Sequence, residues 1–168
     1  LYVFDHVNGM VVFETRDGIL THLRSFGAEY RPKSACALGD VLVVPGWRDK
    51  KILHVINAAG ERVRSFGEGF SFTNDTSETL REMASRMTHR VFCDAEQGRI
   101  FVVAGALGFV RSYDASGNLL WEQALPDYQG ARFVMTQQGA TGIFPRTTTS
   151  SVQRVGQDLL LVQARHLE

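Results

Sequence analysis

Residues 99–125, RIFVVAGALGFVRSYDASGNLLWEQAL, restate a pattern that the chain has already used twice, and this repetition limits the fold more than any other feature. A β-branched apolar run (100–104) is followed by a Gly-bounded turn (105–108), an alternating apolar and polar run (109–113), a second turn (114–117) and a third run (119–125). Runs of this length between Gly, Asp and Asn read as strands joined by tight turns. Residues 41–66 and 1–26 have the same order, and both close on Arg-Ser-Phe-Gly, at 24–27 and 64–67.

A fourth strand precedes two of the three copies. Residues 34–38 (SACAL) and 90–93 supply it, whereas the first copy has none. Leu1 and Val41, which open the first two copies, stand 40 residues apart, and Val41, Ile100 and Leu159 are separated by 59 and 59. The short interval is the bare unit, and the long ones carry insertions. Four antiparallel strands in about 40 residues are the signature of a β-propeller blade. The expected fold is therefore all-β, with about three to three and a half blades in one domain that is part of a full propeller. The approximate blades are 1–33, 34–88, 89–150 and 151–166, and residues 167–168 read as a purification-tag remnant. Phe26, Phe66 and Trp121 are expected to close their units and to be buried between blades. Residues 45–46 read as a turn and 147–151 as a flexible polar loop, while 132–136 and 142–144 read as short strands. One helix is expected at 77–87, capped by Asp75 with Glu78 three residues on, and with Leu80, Met83, Ala84 and Met87 on one side.

With 18 basic and 18 acidic residues and no dense Lys/Arg block, the sequence carries no nucleic-acid or anionic-membrane footprint. Its apolar runs are of strand length, far short of the roughly 20 residues of a membrane helix. Cys36 and Cys93 lie 57 residues apart in apolar runs, without C-x-x-C spacing, and read as buried free thiols, with a disulfide as the alternative. Neither a phosphate-binding Gly-rich loop nor a G-x-S-x-G or H-E-x-x-H motif is present, so no metal site and no cofactor are expected. Asn74-Asp75-Thr76 fits a glycosylation sequon.

Residues 60–67 (GERVRSFG) and 20–27 (LTHLRSFG) resemble NHL-type repeats and the wider group of bacterial six-bladed propellers, and residues 113–121 (YDASGNLLW) are similar to both those and quinoprotein-like propellers. The resemblance implies a binding scaffold with a closed ring of six blades, and it favours a periplasmic or extracellular location over the cytoplasm. Hydrolases and lyases occur among such proteins, which leaves open a hydrolase or lactonase-type enzyme built around a central divalent cation.

Strand parity fixes which loops share a side of the blades. The connections from second to third strand, and from the outer strand to the next blade, gather on one side, and every long insertion falls there too. Loops on a rigid scaffold carry function. Trp47 with Arg48 is the sharpest pair on that side, because Trp and Arg dominate binding hot spots. His6 and Asn8 join them as candidate ligand contacts, while Asp5, Asp94 and His89 read as turn and cap residues. The expected function is a binding or protein-interaction module for a protein or small molecule. Two copies are expected to associate into a six-bladed ring, residues 152–155 of one chain supplying the innermost strand that the first unit of the other lacks.

Overall fold

The structure is a computed structural model that describes residues 2–5, 9–30, 33–70, 89–105, 107–125, 132–137, 139–143, 147–155 and 158–165. The first three strands are β1 (Tyr2–Asp5), β2 (Gly9–Arg16) and β3 (Ile19–Phe26), followed by a 3-10 turn at Ala28–Tyr30. Then come β4 (Cys36–Leu38), β5 (Val41–Arg48), β6 (Lys51–Ile56) and β7 (Arg62–Glu68), and β8 (His89–Asp94), β9 (Arg99–Ala104), β10 (Phe109–Asp114) and β11 (Leu119–Ala124). Two hairpins complete the described chain, β12 (Arg132–Thr136) with β13 (Gly139–Ile143) and β14 (Thr147–Val155) with β15 (Asp158–Arg165). The helix expected at 77–87 and the sequon at 74–76 lie outside the described residues.

Each repeat unit is its own antiparallel sheet. The second and third are four-stranded meanders in the order β4-β5-β6-β7 and β8-β9-β10-β11, and the first is β1-β2-β3. These are propeller blades, all-β as the repeat requires. The innermost strands β4 and β8 belong to different sheets and are neighbours in space: β8 lies against β4 and β5. In the same way β14 lies against β8 and β9, so it stands to the third sheet as β8 stands to the second.

Burial follows from the two-residue period of strands. On β5 and β6, Val43, Leu53 and Val55 face the third sheet and pack with Val91, Ile100, Val102 and Tyr113. Val44 and Ile56, on the opposite face, pack with Met10 and Tyr30 from the first unit. A sheet covered on both sides explains why 41–45 and 52–56 are nearly continuous apolar runs.

The repeated Arg-Ser-Phe-Gly is the device that joins one blade to the next. Each outer strand carries a β-bulge at the same place, seen where the ladder shifts between Val12/Phe13, Val55/Ile56 and Ser112/Tyr113. Beyond it, Phe26 lies over Gly60 and Phe66 over Gly117, at the turns between third and outer strands of the following blade. A Cβ on Gly60 would stand 3.1 Å from the Phe26 ring, and one on Gly117 would stand 2.7 Å from Phe66. Both glycines have φ near +90°, so close approach and backbone conformation exclude a side chain together. The preceding arginines lie over these rings, Arg24 at 5.8 Å from the Phe26 centroid and Arg64 at 5.5 Å from Phe66. Arg64 also donates to the carbonyls of Ala115 and Ser116 in the turn of the third blade. The turns match: Asn57 Oδ1 accepts from the amides of Ala59 and Glu61, and Asp114 Oδ1 accepts from Asn118.

Four expectations are corrected. Trp121 is 39% exposed, not buried; it pairs with Ser112 as Arg64 pairs with Val55, so it holds the arginine position, and Gln123 holds that of Phe66. Residues 45–46 are not a turn but sit inside β5 at an irregularity between Pro45 and Arg48, where a proline is tolerated because the ladder is already interrupted. The turn is Asp49-Lys50, both with φ between 50° and 65°. Residues 147–151 are not a loop: their threonines are β-branched, and they form the start of β14. Cys36 and Cys93 are not free but are joined in a disulfide with Cα atoms 5.4 Å apart, because β4 and β8 become neighbours only when the blades pack.

Candidate binding face

The side carrying the β5–β6 and β9–β10 hairpins also receives the chain from each outer strand to the next blade. Four residues after Phe26, Tyr30 ends the 3-10 turn and stacks on His54 of the second blade with ring centroids 4.5 Å apart. Four residues after Phe66, Phe70 holds the matching place on the third blade, over Arg111, whose guanidinium carbon is 4.0 Å from its centroid. Counted from the bulge, His54 and Arg111 occupy one register. An aromatic residue from one blade thus lies on a third-strand residue of the next, a recurrence that extends the repeat to Phe-Gly-x-x-aromatic.

His54 is fully buried and satisfied. Its Nε2 donates to the Gly46 carbonyl at 3.0 Å, which fixes the tautomer, and its Nδ1 accepts from the Ser65 hydroxyl at 2.8 Å. Burial holds its pKa down to about 4, and the cations of Arg62 and Arg48 push the same way. His89 is also buried, stacks on Phe70 at 5.2 Å and is held to about 4 by burial with a further contribution from Arg111, but its Nε2 has no hydrogen-bond partner. Arg111 donates to the Glu68 carbonyl and pairs with Glu122.

The structure separates the pair that sequence singled out. Trp47 is half-buried and packs against the apolar cluster between the second and third blades. Arg48 is exposed and turns toward the first blade, 3.4 Å from the Glu29 carboxylate and with its guanidinium carbon 5.7 Å from the Tyr30 centroid. Asp49 joins this group through Arg62, whose hydrogen bond holds its carboxyl below the usual range. Sequence reading missed Tyr30, Asp49 and Arg62, although the Phe-Gly-x-x-aromatic spacing was available to mark Tyr30. His6 and Asn8 lie outside the described residues. Asp94 is buried and accepts from the Gln97 amide at 3.2 Å, a turn-capping role.

Among the described residues, no group of three or more His, Cys, Asp or Glu is arranged to hold a metal ion. On the opposite side, a cleft of about 40 Å³ between Arg24, Phe26, Asp40, Leu42, Ile56, Asn57 and Ala58 has room for water rather than a metabolite. No helix among the described residues is long and apolar enough to cross a membrane.

What fold and face define is a set of propeller blades bearing a loop surface with an aromatic and cationic centre. No protein-family model matches the chain, nor does any curated protein. Similar solved structures include the candidate exported protein BF0058 of Bacteroides fragilis, at 18% identity and a TM-score of 0.42 over 77% of this chain and 32% of that one. Another is BBS1N, solved in complex with ARL6DN, at 15% identity and a TM-score of 0.44 over 86% of this chain and 45% of that one. The chain therefore spans less than half the length of either.

Proposed function

We propose that this chain is a binding scaffold that engages a protein partner through the loop side of its blades, with Trp47 and Arg48 as anchors and His6 and Asn8 as further candidate contacts. The observation that carries this reading is the convergence of Tyr30, Arg48, Asp49 and Arg62 on one surface between the first and second blades, with Arg48 exposed over the Tyr30 ring, while Trp47 is half-buried on the other face of β5. A seated aromatic beside an oriented guanidinium is the composition of a hot spot. The finer form of the proposal is an NHL-like six-bladed propeller, in which residues 1–168 are one domain and a second copy completes the ring. A disulfide between partly exposed cysteines fits an oxidising compartment, and we place the protein outside the cytoplasm.

Site-specific photo-cross-linking tests the surface. A cross-linker at position 48 should capture a discrete partner band that Trp47→Ala abolishes, whereas one at Ala58, on the far side, should not. Capture from 58 alone, or indifference to Trp47→Ala, would sink the proposal. Light scattering tests the ring, since a monodisperse monomer at micromolar concentration excludes the two-chain form. Calorimetric titration with calcium addresses the enzyme alternative, which requires tight stoichiometric binding.

A further inference from the structure

We propose that the Cys36–Cys93 disulfide is a reducible latch on β4 that controls how Trp47 is seated; its bearing on function rests on the binding-face reading above. Three observations meet here. First, β4 is the shortest strand described, tied to its own sheet by only the three pairs Cys36↔Val43, Ala37↔Leu42 and Leu38↔Val41. Second, its hold on the third blade is made by side chains: the disulfide, and Ser34, whose hydroxyl accepts from the Val91 amide at 3.1 Å and donates to the His89 carbonyl at 3.4 Å. Third, Cys36, Leu38, Cys93 and Trp47 are all partly buried and pack against one apolar cluster, β4 beside the start of β5 and Trp47 near its end, so loosening the strand opens a margin of the cluster on which the candidate anchor also rests.

Both cysteines are only partly buried, which leaves the bridge open to a soluble thiol. A thiolate of a dithiol reductant attacks one sulfur, the S–S bond breaks, and the other cysteine leaves as a thiolate and takes up a proton. The reductant's second thiolate then displaces the mixed disulfide, so two electrons reach the protein and the reductant departs as its own disulfide. A three-residue strand freed of its covalent tie belongs to the low-stability end of the fold, and it opens locally while the central strands stay closed.

The test uses the Trp121→Phe protein, in which Trp47 is the sole tryptophan, before and after dithiothreitol, with emission and amide exchange recorded together. Reduction should move the emission to longer wavelength. The amides that β4 donates to β5 should lose their protection, while those between β5 and β6 stay slow. Cys36→Ser with Cys93→Ser in the same background should behave like the reduced protein without reductant. Unchanged emission and β4 protection once both thiols titrate as free would overturn the latch. So would simultaneous loss of protection in β4 and across β5 and β6, which would make the bridge a staple of the whole fold. Neither readout involves a ligand, so failure of the cross-linking experiment would leave the latch standing, and the reverse holds too.

Discussion

The junction between the first and second blades and that between the second and third are built from one plan and finished differently. Both have an arginine over a phenylalanine, the phenylalanine on a glycine turn, and an aromatic four residues on. At the second junction Phe66 is buried, Arg64 reaches the turn carbonyls, and a disulfide closes the inner rim. At the first, Phe26 is half-buried and Arg24 is exposed. The repeat sets where the joint is made, and the surrounding residues set how tightly it closes.

The largest difference should appear on truncating the phenylalanines. Phe66→Ala should destabilise the protein by roughly 3 to 5 kcal/mol, the usual loss for a buried aromatic. Phe26→Ala should lose less than half as much, because less of the ring leaves water; equal shifts in denaturant midpoint would erase the distinction between the junctions.

The two histidines come next. His54→Phe should lower stability by about 1 to 3 kcal/mol, since it leaves the Gly46 carbonyl without its donor. His89→Phe should stay within about 0.5 kcal/mol, because the buried Nε2 that it removes has no hydrogen bond to lose and the ring keeps its stack on Phe70. Both imidazoles are held neutral, near 4 against a usual 6.5. Between those values the unfolded chain binds protons that the folded chain refuses, so stability is full above about pH 6.5 and falls as pH drops toward 4. Each histidine should contribute up to about 1.4 kcal/mol per pH unit in that window. Chemical denaturation at pH 6.5 and 4.5 should therefore show a shallower slope for His89→Phe than for the parent, and identical slopes would mean that His89 titrates normally.

The smallest contrast concerns the arginines. Arg64→Ala should remove roughly 1 kcal/mol with its bonds to Ala115 and Ser116, given its partial exposure. Arg24→Ala should change stability by about 0.5 kcal/mol or less, the scale of an exposed cation–π contact. A larger loss from Arg24 would show that it grips the turn at Asn57 and Ala58 after all.

Strand order and unit length were legible because period-2 burial and turn glycines are local properties. The position of Trp121 was legible too, but only by counting: it follows Gly117 by four residues, as Arg64 follows Gly60, whereas matching one aromatic to another led to Phe66. Residues 147–151 were misjudged by weighing the polarity of threonine above its branching. The disulfide was beyond local reading, since the neighbourhood of residues 36 and 93 exists only once two sheets have stacked. The parting of Trp47 from Arg48 follows from the alternation of successive side chains along β5, which the mistaken turn at Pro45-Gly46 concealed.

Because each joint runs from one blade's outer strand to the next blade's turn, the array behaves as a line of coupled units whose cooperativity is only as long as its weakest link. The first junction rests on a half-buried Phe26 and an exposed Arg24, and the disulfide spans the second junction and not the first. Melting should therefore enter at this end and travel inward. The second and third blades, sewn together at the axis and the rim, form the last block to yield.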